Sequence, residues 1–533
     1  MDREDTMKKQ DTFVVTIAVI LCTAVVLALL GAAMVLMPRI SGFFGRNNTS
    51  IMFPEILLNE PFPASVAPER DLLKDEKLSR YDFDLTLDPQ RSVMEGTLQL
   101  YYVNDEGVPM DSIHLLLYAN SFEKAEYGAF EEMDFYRAYP QGFSPGSIEI
   151  HSLFSPEQHI EYQIGGEQNH VMEITLQHSI QPGESLYMVI DYTVQIPQCY
   201  GRFGRGENTW SLMNCNPILA VYEEGEWLDY PYYAIGDPFF SDVAHYSATV
   251  RTPQDYILAA TGKTSMRAEN GYNTWEVQAP SRRDFGFCTS NRFDTMQAYG
   301  TGGVLVRSYY LQGYADSGRT ALVSALEALQ YFTDAFGEYP YEEYALVQCE
   351  FFIGGMEYPG LVLIDSSSYG IPDRTQLDLL VAHESAHQWW YGVIGNDQVR
   401  YPWLDEGLTE LSTNLFLRER RPSSNAYQVL YENYMRTIRM QGSTQGSFTA
   451  QMATYQYSDN TLYSAWVYDR AAQVLQDVMD EMGRERFLKG LQAYYKNHSM
   501  GIATPEDFLY YIAPKYPGDL HATLIEGFAK VRK

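Results

Sequence analysis

The chain has 533 residues, room for about three or four domains. Its formal net charge of −31 excludes nucleic acid as a partner, because phosphate contacts need clustered Lys and Arg, and argues against docking onto anionic headgroups. At 45% apolar and 20% charged the composition is globular, and five cysteines cannot staple a fold of this size.

Phe13 to Met37 carries no charge and is long enough to span a bilayer core with some tilt. The run is longer than the apolar core of a cleaved signal peptide, and no small-residue cleavage site follows before Pro38 and Arg39. We read it as an uncleaved transmembrane helix that carries the chain's contact with the lipid bilayer. Arg3, Lys8 and Lys9 precede it and Arg39 and Arg46 follow. This small excess puts residues 1–12 in the cytoplasm and the rest of a single-pass protein outside. Asn47 and Asn48 fit the N-glycosylation pattern. Cys199 and Cys215 are a close pair that can bridge in an oxidising compartment or stay free.

Residues 38–78, with Pro54, Pro61, Pro63 and Pro68, read as a linker. Period-two alternation then begins at Tyr81, Phe83, Leu85 and Leu87. It recurs at Leu98, Leu100 and Tyr102, at Ile113, Leu115 and Leu117, at Ile148 and Ile150, and at Tyr187 and Val189. The spacing predicts an antiparallel β domain over 79–295, and no catalytic cluster stands out in it. From Thr320 the apolar period becomes helical, with Leu322, Leu326, Leu329 and Phe332. A strand over 344–352 runs into Gly354-Gly355. Helices are predicted over 375–394, after Glu406 and over 465–482. Thr504-Pro505-Glu506-Asp507 signals another helix start.

His383-Glu384-Ser385-Ala386-His387 is the strongest chemical signal. Two imidazoles at i and i+4 lie one turn apart on one helical face and can reach one ion. Zinc accepts nitrogen and oxygen ligands and keeps a position for water, and Glu384 is displaced around the helix so that it can sit over that water. With 10 His in the chain, chance supplies about 0.01 such pentads, so accident is a poor account of it. A third protein ligand is still required. Glu406 follows 19 residues after His387, beyond the turn-prone Gly395-Asn396-Asp397 and Pro402, and Glu410 stands one turn later.

The pentad, the 18-residue spacer and Glu406 within Trp403-Leu404-Asp405-Glu406-Gly407 resemble the signature of the gluzincin aminopeptidases, the aminopeptidase N and leukotriene hydrolase family. Gly354-Gly355-Met356-Glu357 resembles that family's Gly-x-Met-Glu-Asn exopeptidase motif, with Tyr358 in place of Asn. Arg283-Asp284-Phe285 with Cys288-Thr289-Ser290 resembles the strand ending its β domain. Tyr468-Asp469-Arg470-Ala471 resembles its Tyr-x-Lys-Gly segment, with Arg for Lys and Ala for Gly. The resemblance implies a multidomain α+β fold: an antiparallel β domain, then a thermolysin-like, mostly helical zinc peptidase domain over 296–533.

It also implies roles. His383, His387 and Glu406 would hold one Zn2+. Glu384 would act as general base and then acid, and Tyr468 would donate to the oxyanion, with Tyr463 its rival. Glu357 would pair with the substrate's α-ammonium, and the backbone at Gly354 and Gly355 would bind the peptide. A second acidic or amide anchor is expected from the β domain near Val221–Trp227, where Glu223, Glu224 and Glu226 cluster, most of them read as a solvated acidic loop. Asp405 is a candidate support for a zinc ligand. Trp389 and Trp390 are expected in the core, and His245 and His498 have no ligand spacing. The expected function is a membrane-anchored zinc metallopeptidase that removes N-terminal residues from peptides, with a bias towards cationic peptides from the negative charge. An endopeptidase without amine recognition and an inactive surface binding protein are the alternatives.

Overall fold

The computed structural model describes residues 77–422 and 449–512, with residues 428 and 432. The apolar run 13–37 and nearly all of the linker lie outside the described residues. Among those described, no helix is long and apolar enough to cross a membrane.

The alternating segments form sheets as their period demands. A seven-stranded sheet runs, edge to edge, Lys263–Glu269, Tyr272–Arg282, Ala244–Pro253, Arg80–Asp88, Val93–Val103, Ser185–Gln195 and Ser147–Phe154. Its strands pair antiparallel except Arg80–Asp88 with Ala244–Pro253. Tyr81, Phe83, Leu85 and Leu87 all point to the buried face, where Tyr81 and Tyr246 stack with ring centres 4.7 Å apart. Two four-stranded sheets pack with it around one core. Cys199 and Cys215 are buried there as separate free thiols, so the cysteine pair does not bridge.

A five-stranded sheet follows in the order Phe293–Tyr299, Leu305–Leu311, Glu343–Cys349, Leu361–Asp365 and Gly355–Met356. Gly355–Met356 is the edge strand, antiparallel to Leu361–Asp365. A second core gathers the helices against this sheet. They are α1 (Ala315–Phe336), α2 (Thr375–Ala386), α3 (Pro402–Arg420), α5 (Ala471–Met482), α6 (Arg484–His498) and α7 (Pro505–Ile512), while α4 (Asn460–Ser464) packs through Tyr463 in a smaller cluster with Tyr457, Trp466 and Val467. Thr504 and Asp507 cap α7 reciprocally, at 2.9 Å and 3.2 Å, as its sequence signal predicts.

Two elements differ from expectation. Helix α2 stops at Ala386 instead of reaching Ile394. His387 Nδ1 bonds the Trp390 carbonyl, and Tyr391 takes a φ of 119°, which turns the chain back. The stretch ahead of α5, Ala465–Arg470, is a π-helical turn. Trp389 and Trp390 are buried in the helical core, as expected. His245 Nδ1 accepts from the Ser281 amide at 3.1 Å, a structural role.

Arg283 ties the two layers together. Its buried guanidinium donates to the carbonyls of Tyr391 at 3.0 Å, Ser241 at 3.0 Å and Gly501 at 2.8 Å.

Candidate active site

The end of α2 and the start of α3 meet at a cavity of about 430 Å³. Apolar residues Leu377, Val381, Ala382 and Ala386 seat α2 in the core, and the opposite side presents His383, Glu384 and His387 to the cavity. Pro402 opens α3, which is buried from Pro402 to Leu417 and carries Glu406 inward.

Three donor atoms converge. His383 Nε2 and His387 Nε2 are 3.2 Å apart, and Glu406 Oε2 lies 3.4 Å and 3.2 Å from them. A tetrahedral metal with bonds of about 2.0–2.1 Å needs ligand edges of about 3.3–3.4 Å, so the triangle has the size zinc requires. The tautomers agree. His383 Nδ1 bonds Glu410 Oε2 at 3.0 Å, and His387 Nδ1 bonds Asp405 Oδ1 at 2.8 Å. Those carboxylates keep the Nδ1 protons, so both Nε2 lone pairs point at each other and at Glu406, whose buried Oε2 receives no hydrogen bond. Glu410 thus stands on the Nδ1 side of His383, away from the three converging atoms.

The electrostatics call for the same charge. Burial alone would lower His383, but the facing carboxylates of Glu406 and Glu410 carry it up to about 10. Burial would raise Glu406, yet the facing imidazoles hold it well below the carboxylate range. A divalent cation supplies the positive charge that the protonated imidazoles would otherwise bring. In the chemistry of its donors and in their spacing, the triad fits zinc.

The remaining groups sit around this triangle. Glu384 lines the cavity, and burial raises its carboxyl to about 7. Its Oε1 rests so close to the Gly355 backbone that a Cβ there would lie 2.0 Å away. Gly355 therefore lets the edge strand pass over Glu384. Gly354 does not wall the cavity; its carbonyl accepts from the Asp365 amide at 2.7 Å, and its φ is 107°. Glu357 is buried beside the metal triad, and its Oε1 has no hydrogen-bond partner. Its carboxylate lies within 4.8 Å of ligand atoms of Glu384 and His387. Burial pushes it well above the usual range.

Tyr468 donates to Glu406 Oε1, and its ring stacks on His383 with centres 5.9 Å apart. Tyr463 also lines the cavity, its ring 6.0 Å from that of Tyr468. Tyr463 stands in α4 and Tyr468 in the π-helical turn that follows, and both reach the same cavity. Burial raises both phenols well above their ordinary value.

The acidic cluster at Glu223, Glu224 and Glu226 does not line the cavity. Glu223 and Glu226 belong to a small hairpin outside the cavity walls, Glu224 makes its turn, and Glu223 pairs with Arg400. Two acids from the β-rich part line the cavity, Asp134 and Asp237, and the one beside the triad is Asp237. It lies within 4.8 Å of Glu357 and Glu406 and pairs with the buried guanidinium of Arg202. Burial raises Asp237 to about 6, against the pull of Arg202. A lone Asp before Pro238 carries no local signal, so periodicity could not find it.

Residues 320–524 match the model of the peptidase family M1 domain. The chain is similar to aminopeptidase M1-C of Oryza sativa subsp. japonica, 26% identical over 225 residues, covering 40% of this chain and 26% of that protein. It is also similar to aminopeptidase N of Escherichia coli (strain K12), 28% identical over 220 residues, with coverages of 39% and 25%. It thus spans about a quarter of the length of these relatives. The fold is similar to the crystal structure of the M1 zinc metallopeptidase from Deinococcus radiodurans. There the TM-score is 0.59 at 18% identity, covering 86% of this chain and 94% of that one. Motif, geometry and matches agree on a peptidase family M1 domain over residues 320–524, similar to that of the aminopeptidase N relatives, with a triad of residues that fits zinc.

Proposed function

We propose that the protein is a membrane-anchored zinc aminopeptidase that releases N-terminal residues from peptides. The observation that carries this reading is the orphaned Glu357 Oε1, buried against the metal triad. A buried carboxylate oxygen without a partner is costly and calls for a cation. A substrate's α-ammonium meets that need. From that nitrogen the first carbonyl oxygen is only about 2.7–3.6 Å away by covalent geometry. An amine on Glu357 therefore brings the first peptide bond, and no later one, to the metal.

His383, His387 and Glu406 would hold zinc, which when bound acidifies a water and polarises the scissile carbonyl. Glu384 takes the water proton and passes it to the leaving amine. A carboxyl raised by burial suits both steps, since it gives the proton up again near neutral pH. Tyr468 donates its hydroxyl to the developing oxyanion. Asp237 adds a second negative group beside Glu357.

The test compares an aminoacyl amide with its N-acetylated form, in wild type and Glu357→Gln, with and without chelator. Hydrolysis of the free-amine substrate alone, lost on chelation and collapsing in the variant, is expected. Equal cleavage of the blocked substrate by wild type would leave the endopeptidase reading instead.

The membrane anchor rests on the uncharged run Phe13 to Met37, and an extracytoplasmic catalytic part rests on the basic residues before it. We read the domains as 79–295 and 296–533. Full-length chain should sediment with membranes and a fragment from residue 51 should not; a full-length chain freed by salt alone would count against the anchor.

A further inference from the structure

Position 358 departs from the family motif, and the structure gives Tyr358 a task there. Its side chain is fully buried and does not line the cavity. It points away from Glu357 into the β-rich core, where its ring stacks on Phe239 with planes 5° apart. Its hydroxyl donates to Asn214 Oδ1 at 2.5 Å, and Asn214 Nδ2 donates on to Asp284 Oδ1 at 3.3 Å. The second oxygen of Asp284 accepts from the hydroxyl of Tyr391. Tyr391 is the residue whose φ of 119° turns the chain just after His387. A bulky residue rarely holds that backbone unaided. Asp284 is therefore shared between the turn that follows the metal ligands and the loop that carries the amine anchor.

From the other side Gln388, next to His387, grips the same loop. Its Oε1 accepts from the Gly360 amide at 2.7 Å, and its Nε2 faces the carbonyls of Glu357 and Tyr358 at 3.4 Å and 3.3 Å. Neighbouring residues in an extended loop share a peptide plane, so holding Tyr358 fixes the direction in which Glu357 leaves the backbone.

We propose that Tyr358 is a positioning residue. Through Asn214 and Asp284 it fixes Glu357 relative to the metal-binding helix, and so sets how strongly a free N-terminus is selected. The inference rests on the amine-anchor reading of Glu357. Tyr358 does not touch the substrate. An Asn in its place would be too short to reach Asn214 and would leave a void beneath Phe239.

The experiment measures steady-state kinetics on an aminoacyl p-nitroanilide and its N-acetylated form. It uses the full chain, Tyr358→Phe, Asn214→Gly, the double variant and Glu357→Gln, with zinc content and melting temperature recorded for each. Glycine suits the left-handed backbone at 214, where φ is 50°. Each single variant should raise KM for the free-amine substrate about threefold to tenfold, the worth of one hydrogen bond, with kcat within about twofold. The N-acetylated substrate should stay uncleaved by every variant that keeps Glu357, and the double variant should be no worse than the worse single. An unchanged KM, a loss carried by kcat instead of KM, or additive losses would overturn the proposal. If Tyr358→Phe does not fold, Asn214→Gly decides alone. If Glu357→Gln leaves the preference for the free amine intact, the amine-anchor reading fails. If it abolishes that preference while the other variants keep it, only the positioning role fails.

Discussion

Replacing Gly355 with Ala isolates the part played by the Glu384 carboxyl. The added Cβ would lie 2.0 Å from Glu384 Oε1 and 2.4 Å from its Cδ, where ordinary contact begins at 3.4 Å. The carboxyl must then retreat by about 1.4 Å. It is the end of a flexible side chain, so it can swing without moving the backbone, at an off-rotamer cost of about 1 kcal/mol. Gly355 also sits in a strand without a positive φ, so alanine fits the backbone. The fold and the triad of His383, His387 and Glu406 should therefore survive, while a base misplaced by about 1 Å costs about a hundredfold in rate. The assay is kcat on an aminoacyl amide, with zinc stoichiometry and melting temperature measured alongside. A kcat within twofold of wild type would refute the assignment of Glu384 as the base. Loss of zinc would refute the claim that its carboxyl alone is displaced.

Tyr468→Phe should keep zinc but lose about a hundredfold to a thousandfold in kcat, the usual cost of one oxyanion donor. Tyr463→Phe should act mainly on KM, and the reverse ranking would exchange their roles. Asp284 gives a pH prediction away from the metal. Burial raises its carboxyl to about 7, above the value of about 3.9 in an unfolded chain. The folded state thus holds the proton more tightly, so this contribution to stability is full below about pH 4 and is lost as pH rises through 7. Wild type should lose stability between pH 5 and pH 8 by at most about 1.4 kcal/mol per unit from this group, and Asp284→Asn should lose less. Denaturant midpoints at the two pH values that shift equally in both proteins would discount it.

Local periods carry their message in a few residues, and this is why much could be read without the fold. Alternation at Tyr81, Phe83, Leu85 and Leu87 needs only a pleat with one buried face. The i, i+4 spacing of His383 and His387 needs only a helical turn, and Thr504 to Asp507 caps a helix with its own side chains. Helix ends were less legible. The apolar run through Trp389, Trp390 and Val393 looks helical to residue 394, but His387 takes the Trp390 carbonyl and the chain turns.

By itself the sequence determined the strand-rich and helical portions, the two imidazoles on one turn and the acid beside them, because those relations are set within one element. The tertiary structure alone decided that Asp237, and not Glu223, Glu224 or Glu226, reaches the cavity. It alone brought Tyr463 and Tyr468 to the cavity beside Glu406, and turned Tyr358 away from the site into the β-rich core. Each of these depends on where distant segments meet, and contacts across a hundred residues leave no period in the chain.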